Sequence, residues 1–185
     1  MVEEVLKSLH DEMDGTVAAM RRELGRTRTG RASAALLEGI TVEYYGAQTP
    51  LNQLATVSVP EPRLLVVQPF DPNVISDIEK AILQSDLGLV PSNDGRLIRV
   101  PIPELTEDRR KELVKHVRKV AEEFRVSVRN HRRDANEMLK VMRKDKEITE
   151  DEQHRGQEKT QVLTKEFTDK LDQVLKAKEE EIMEV

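Results

Sequence analysis

The chain of 185 residues has no cysteine and no tryptophan, and aromatic side chains make up only 3% of it. Without cysteine there is no disulfide frame, no thiolate zinc site and no thiol nucleophile. With so few rings, the core has to be aliphatic and helix-packed rather than built around large ring clusters. No stretch approaches the roughly 20 apolar residues that a membrane span needs, and the amino-terminal MVEEVLKSLHDEMD is acidic and amphipathic. A cytoplasmic protein with no membrane contact is therefore expected. Proline is missing from both flanks of the chain, since all eight prolines fall between Ala32 and Glu104.

Signatures of chemistry are equally scarce. His10, His116, His131 and His154 are scattered, with no HExxH pair and no aspartate-rich metal loop, and neither GKS nor GxGxxG occurs. The acids of HDEMD at 10–14 would splay around a helix, and PSNDGR reads as a turn. No catalytic group, metal site or cofactor is expected, which points to binding.

What the chain does have is amphipathic periodicity. Thr106 to Lys146 reads as one helix of roughly 60 Å at about 1.5 Å per residue. In it Val114, Val117, Ala121, Phe124, Val128, His131, Ala135, Met138 and Met142 recur at alternating steps of three and four, a lengthwise packing seam. Val2, Leu6, Leu9, Met13, Val17, Met20 and Leu24 mark a first helix expected to end near Gly30. Thr149, with Glu152 three residues on, opens a last helix through a capping box. Leu163, Phe167, Leu171, Val174 and Leu175 form the buried stripe of that helix.

The proline-rich window has a different texture. ITVEYY at 40–45, ATVSV at 55–59, RLLVVQPF at 63–70 and RLIRVPI at 96–102 read as strands between turn signals, and DPNVISDIEKAILQSDLG reads as a helix ending at Gly88. The expected architecture is α+β. An elongated antiparallel three-helix bundle from residues 1–30 and 105–185 carries an inserted small mixed β/α/β domain at 31–104. The two domains are joined only at Gly30–Arg31 and Glu104–Leu105, an expected hinge.

The net charge of −5 hides a partition: residues 106–148 hold 14 Lys and Arg against 9 Asp and Glu, and 149–185 hold 6 against 11. On the long helix the cations, Arg125, Arg129, Arg132 and Arg133 above all, fall on one face beside the seam, with Glu112 and Glu122 their main neutralisers. Such a face is either solvated and bridged to acids of a neighbouring helix, or it binds phosphate, for which clustered arginines are suited. The clustering favours RNA or phosphate. A structural adaptor pairing with a protein coiled coil is the rival from another class, and a sizing column separates them, because a bundle that buries its own seam stays monomeric.

At RTGRAS, VEYYG, TPLNQLA, SDLGLVPSNDGRLIRVPIPELTEDRRKEL, RNHRRDAN and KDKEITEDE the sequence resembles the bacterial ribosome recycling factor family, in order and along the whole chain. The resemblance implies an L-shaped molecule with a mobile small domain. It also implies a non-enzymatic role: binding to the post-termination ribosome and, with elongation factor G, separation of the subunits with release of mRNA and tRNA. By position it implies that Arg132 is the main contact to ribosomal RNA of the large subunit. Arg129, Arg133 and Arg110 lie around it, and Arg28 and Arg31 at the end of the bundle. His131 puts a polar ring where the seam calls for an apolar side chain.

Overall fold

The computed structural model describes residues 1–184. In chain order the elements are α1 (Val2–Gly25), a 3-10 turn at Ala34–Leu37, β1 (Thr41–Tyr44), β2 (Ala47–Pro50), the one-turn helix α2 (Leu51–Leu54), β3 (Ala55–Glu61), β4 (Leu64–Pro69), a 3-10 turn at Pro72–Val74, α3 (Ile75–Leu83), β5 (Ser92–Asn93), β6 (Ile98–Pro101), α4 (Glu107–Lys144) and α5 (Glu150–Met183). They fall into two compact units. One comprises Met1–Leu24 and the chain from Lys111 onward, and the other Gly25–Arg110.

The first unit is a bundle of α1, α4 and α5. Lys159 pairs with Glu3 and the Phe167 ring meets His10 edge-on, so α1 and α5 run parallel. Glu179, Asp172 and Thr160 of α5 meet Arg118, Arg125 and Asn136 of α4 in reverse order, so α4 is antiparallel to α5. Leu6, Leu9, Met13, Val17, Met20 and Leu24 of α1 are buried as their spacing predicts, and Val5 and Thr16 join them. The turn into α5 is held by the expected capping box: the Glu152 N–H donates to Thr149 Oγ1 (3.2 Å) and the Thr149 N–H donates to Glu152 Oε2 (2.7 Å).

Three expectations need correcting here. Helix α1 stops at Gly25 rather than near Gly30, and Gly30 itself has φ of +81°, outside helical backbone. On α4 the buried set is Leu113, Val117, Val120, Ala121, Val128, Ala135 and Leu139, while Phe124 and His131 are half-buried and Met138 is exposed. A helix that packs on two neighbours buries a broader arc than a two-position seam. On α5 the buried positions are Gln153, Gly156, Thr160, Thr164, Phe167, Leu171, Leu175, Lys178 and Ile182, with Leu163 and Val174 only half-buried. These recur as steps of three, four and four, an 11-residue repeat whose 3.67 residues per turn is close to the helical 3.6 and keeps one face inward along the helix. The first half of that face is polar or small, so an apolar stripe is visible only from Leu163 onward.

The second unit is built on a four-stranded antiparallel sheet in the order β3-β4-β6-β5, with β1 and β2 as a separate hairpin. Alternate residues of β4 (Leu65, Val67) and β6 (Ile98, Val100) are buried together with Ile75, Ile78 and Ile82 of α3. The β1–β2 turn is Tyr45–Gly46, with φ of +47° and +78°, the paired positive angles that a two-residue hairpin turn requires. Strands β2 and β5 were not expected, because AQTP is polar and ends in proline and SN is only two residues long. Helix α3 ends at Leu83 instead of Gly88, where the Ser85 hydroxyl donates to the Ile82 carbonyl at 2.6 Å.

Both segments of chain that enter and leave this unit are fastened to it. The Ala32 N–H donates to the Pro62 carbonyl (2.7 Å), Arg63 pairs with Glu104 (2.7 Å), and Gly30 packs against Leu105.

Candidate nucleic-acid interface

The cations of α4 do not share one environment. At successive heptad positions Arg118, Arg125 and Arg132 all reach across to α5, but what they meet there changes. The Arg118 Nε donates to Glu179 at 2.6 Å, and the Arg125 Nη2 donates to Asp172 at 2.6 Å. Glu122, on the face of α4 itself, accepts from Arg129 at 2.6 Å and from Arg125 at 3.3 Å. Those hydrogen bonds, Arg129's first, hold the Glu122 carboxyl below the usual glutamate range. Arg125 is more enclosed than Arg118 or Arg129, its side chain only 25% exposed. This stretch of the face is therefore more fully neutralised than expected, because two of the three compensating carboxylates come from α5.

The pattern breaks at Arg132. Its Nη1 donates to the amide oxygen of Gln161 at 3.2 Å, and among the described residues it makes no ion pair. Next to it Arg133 is exposed and, among the described residues, has neither hydrogen bond nor ion pair. Of the arginines from Arg118 to Arg143, Arg132 and Arg133 are thus the two that no carboxylate neutralises among the described residues. Toward the far end of α4, Lys140 pairs with Glu137 (3.5 Å) and Arg143 with Glu150 (3.3 Å), so compensation resumes.

Behind this cationic spot the helix is held on both sides. His131 Nδ1 lies 2.9 Å from Glu12 of α1, and its Nε2 lies 3.2 Å from the Thr16 hydroxyl. The polar seam position is thus paired rather than buried alone. On the other side the Thr160 hydroxyl of α5 donates to Asn136 Oδ1 at 2.8 Å.

Arg28, Arg31 and Arg110 belong to the other unit. Arg31 is exposed and Arg28 half-buried, both in the irregular segment after α1, while Arg110 sits in the first turn of α4 with its Nε enclosed and unpartnered. Gln161 was not singled out by sequence reasoning. The signal available was negative: α5 has no acid between Glu158 and Glu166, where the antiparallel register brings it opposite Arg132.

Among the described residues no three His, Asp or Glu side chains converge as a metal site would require, and no helix is long and apolar enough to cross a membrane. The arrangement offers charge and hydrogen-bond donors on a rigid helix, which suits anion recognition.

A family profile described as "Ribosome recycling factor" matches residues 20–183. The chain is 57% identical over 185 residues to the ribosome-recycling factor of Bacillus subtilis and 58% identical to that of Halalkalibacterium halodurans, covering 100% of both chains in each case. Among solved structures, a solution structure of the ribosome recycling factor is similar with a TM-score of 0.79 at 44% identity, covering 100% of this chain and 98% of the other. Another is described as models for the T. thermophilus ribosome recycling factor and the E. coli elongation factor G bound to the E. coli post-termination complex. It matches with a TM-score of 0.70 at 47% identity over 100% of both chains. With a profile spanning nearly its full length and relatives identical at more than half of all positions, the chain belongs to the ribosome recycling factor family.

Proposed function

We propose that the protein acts in the cytoplasm as a monomeric translation factor. It binds the large subunit of the post-termination ribosome through ribosomal RNA and, with elongation factor G, separates the subunits so that mRNA and tRNA are released. It does so without catalysing a covalent step of its own, GTP being hydrolysed by the elongation factor. The observation that carries the RNA contact is the adjacent pair Arg132 and Arg133, the two arginines between Arg118 and Arg143 whose charge no carboxylate offsets among the described residues. Phosphate contacts by such groups release counterions and supply affinity.

Arg129, tied only to Glu122 of its own helix, can turn to a phosphate at the cost of one exposed ion pair. Arg125 contributes least, since it is enclosed and shared between Asp172 and Glu122. Arg28, Arg31 and Arg110, in the other unit, are ribosomal RNA contacts by the family resemblance. The crossings at Gly30–Arg31 and Glu104–Leu105 act as the hinge about which the β/α part of the chain between them swings when the elongation factor engages it. Gly30, with its positive φ, supplies a backbone conformation that other residues adopt only with strain.

The test is co-sedimentation with separated large and small ribosomal subunits, followed by light scattering of post-termination ribosomes. The protein should pellet with large subunits, and scattering should fall only when elongation factor G and GTP are also present. Preferential pelleting with small subunits, or no drop in scattering, would overturn the assignment.

A further inference from the structure

Arg118, Arg125 and Arg132 repeat every seven residues along α4 and all three reach α5, so the same geometry is used three times with different acceptors. Glu179 and Asp172 neutralise the first two. Gln161 holds the third without neutralising it. An arginine only donates, so the amide oxygen of Gln161 is the atom that faces it, and that neutral oxygen fixes the guanidinium while leaving its full positive charge outward.

The surroundings keep it so. The acids that flank Gln161 along α5 face other groups: Glu158 lies 3.6 Å from the His154 ring, Glu166 pairs with Lys170 at 3.0 Å, and Asp169 with Lys165 at 2.8 Å. Glu12 of α1 is taken by His131. Behind Gln161, the Thr160–Asn136 hydrogen bond ties α5 to α4 at this level, so the amide is presented from a fixed element.

We propose that Gln161 is a positioning residue for RNA binding: it pre-orients the Arg132 guanidinium toward phosphate while sparing its charge. This rests on the reading of Arg132 as an RNA contact. A carboxylate in its place would make a third α4–α5 ion pair, good for the bundle and bad for binding. An apolar residue would leave the charge intact but free the side chain to rotate, so part of its ordering cost would fall on the binding step.

Equilibrium binding of the full-length protein to isolated large subunits, measured across a salt series, tests this together with thermal unfolding. Gln161→Glu should melt no lower than the parent yet bind about tenfold more weakly, with the slope of log affinity against log salt reduced by about one phosphate contact. Gln161→Leu should lose only about threefold, with an unchanged slope. In an Arg132→Ala background, Gln161→Glu should have no further effect, because its action passes through the arginine.

Parent-like affinity and slope for Gln161→Glu, when Arg132→Ala alone binds poorly, would overturn the inference while leaving the arginine reading in place. An equal loss from Gln161→Glu in the Arg132→Ala background would also overturn it, since the new charge would then be repelling RNA directly. Full binding by Arg132→Ala alone would instead bring down the reading of the arginine, and this inference with it.

Discussion

Gly156 of α5 lies so close to Leu139 of α4 that a β-carbon at this glycine would stand 2.9 Å from Leu139 Cδ1, with Val2 Cγ1 of α1 at 3.2 Å. All three helices of the bundle meet at this point, and only a hydrogen fits between them. Gly156→Leu should therefore destabilise the protein by about 1–3 kcal/mol through overpacking. Leu139→Ala alone should cost about 2–5 kcal/mol as a cavity. The double variant should cost clearly less than the sum, because the added leucine refills the space. Chemical denaturation of the four proteins measures this, and strict additivity would show that the two positions do not share it.

The His131 ring bridges α4 and α1 through Glu12 and Thr16. The Thr16 hydroxyl also lies 3.0 Å from the Glu12 backbone carbonyl. A double-mutant cycle with His131→Ala and Glu12→Ala should give a coupling of about 0.5–1 kcal/mol, in the range of partly exposed pairs. A coupling indistinguishable from zero would mean that the ring is held by packing alone.

The two bundle phenylalanines differ in burial and should differ in consequence. Phe167 is fully buried, stacked edge-on by His10 with Lys170 4.3 Å over its ring, whereas Phe124 is half-buried. Phe167→Ala should cost about 3–5 kcal/mol and Leu171→Ala about 2–5 kcal/mol. Phe124→Ala should fall below Phe167→Ala, since less of its surface is removed from water. Urea unfolding ranks them, and equal costs for the two phenylalanines would contradict the burial assigned here.

The cap of α5 is open to a pH test. Hydrogen bonds from the Thr149 N–H and then the Thr149 hydroxyl lower the Glu152 carboxyl below the ordinary glutamate value. A carboxyl depressed in the folded state contributes stability that is complete above its unfolded value and is lost as pH falls through its folded value. Thr149→Ala should lower stability by about 1 kcal/mol at neutral pH. It should also return the Glu152 carboxyl, followed by NMR titration, part of the way toward the ordinary value, because the hydroxyl is removed while the backbone N–H, the larger cause, remains. An unmoved Glu152 titration would mean that the Thr149 hydroxyl does not contribute to depressing it.

The α1 stripe, the α5 capping box, the proline-bounded β/α insertion and the arginine cluster are all legible in the sequence, because each depends on local chain geometry and residue spacing. What is not legible there depends on what faces what. Leu139 rather than Met138 is buried because α4 packs on two helices at once. The inward face of α5 runs through Gln153, Gly156 and Thr160, residues that no apolar pattern would select. The same limit applies to the basic face: four arginines look alike along α4. Only the register with α5 separates Arg125, facing Asp172, from Arg132, facing Gln161.

The most direct test of RNA binding through Arg132 and Arg133 of α4 is the affinity of Arg132→Ala for isolated large ribosomal subunits, measured over a range of salt beside its thermal unfolding. Arg132 carries no ion pair within the described residues, so folding should be nearly unchanged. Binding should weaken severely, and the salt slope should fall by about one contact. A folded Arg132→Ala protein that binds large subunits with the parent's affinity and salt slope would contradict it.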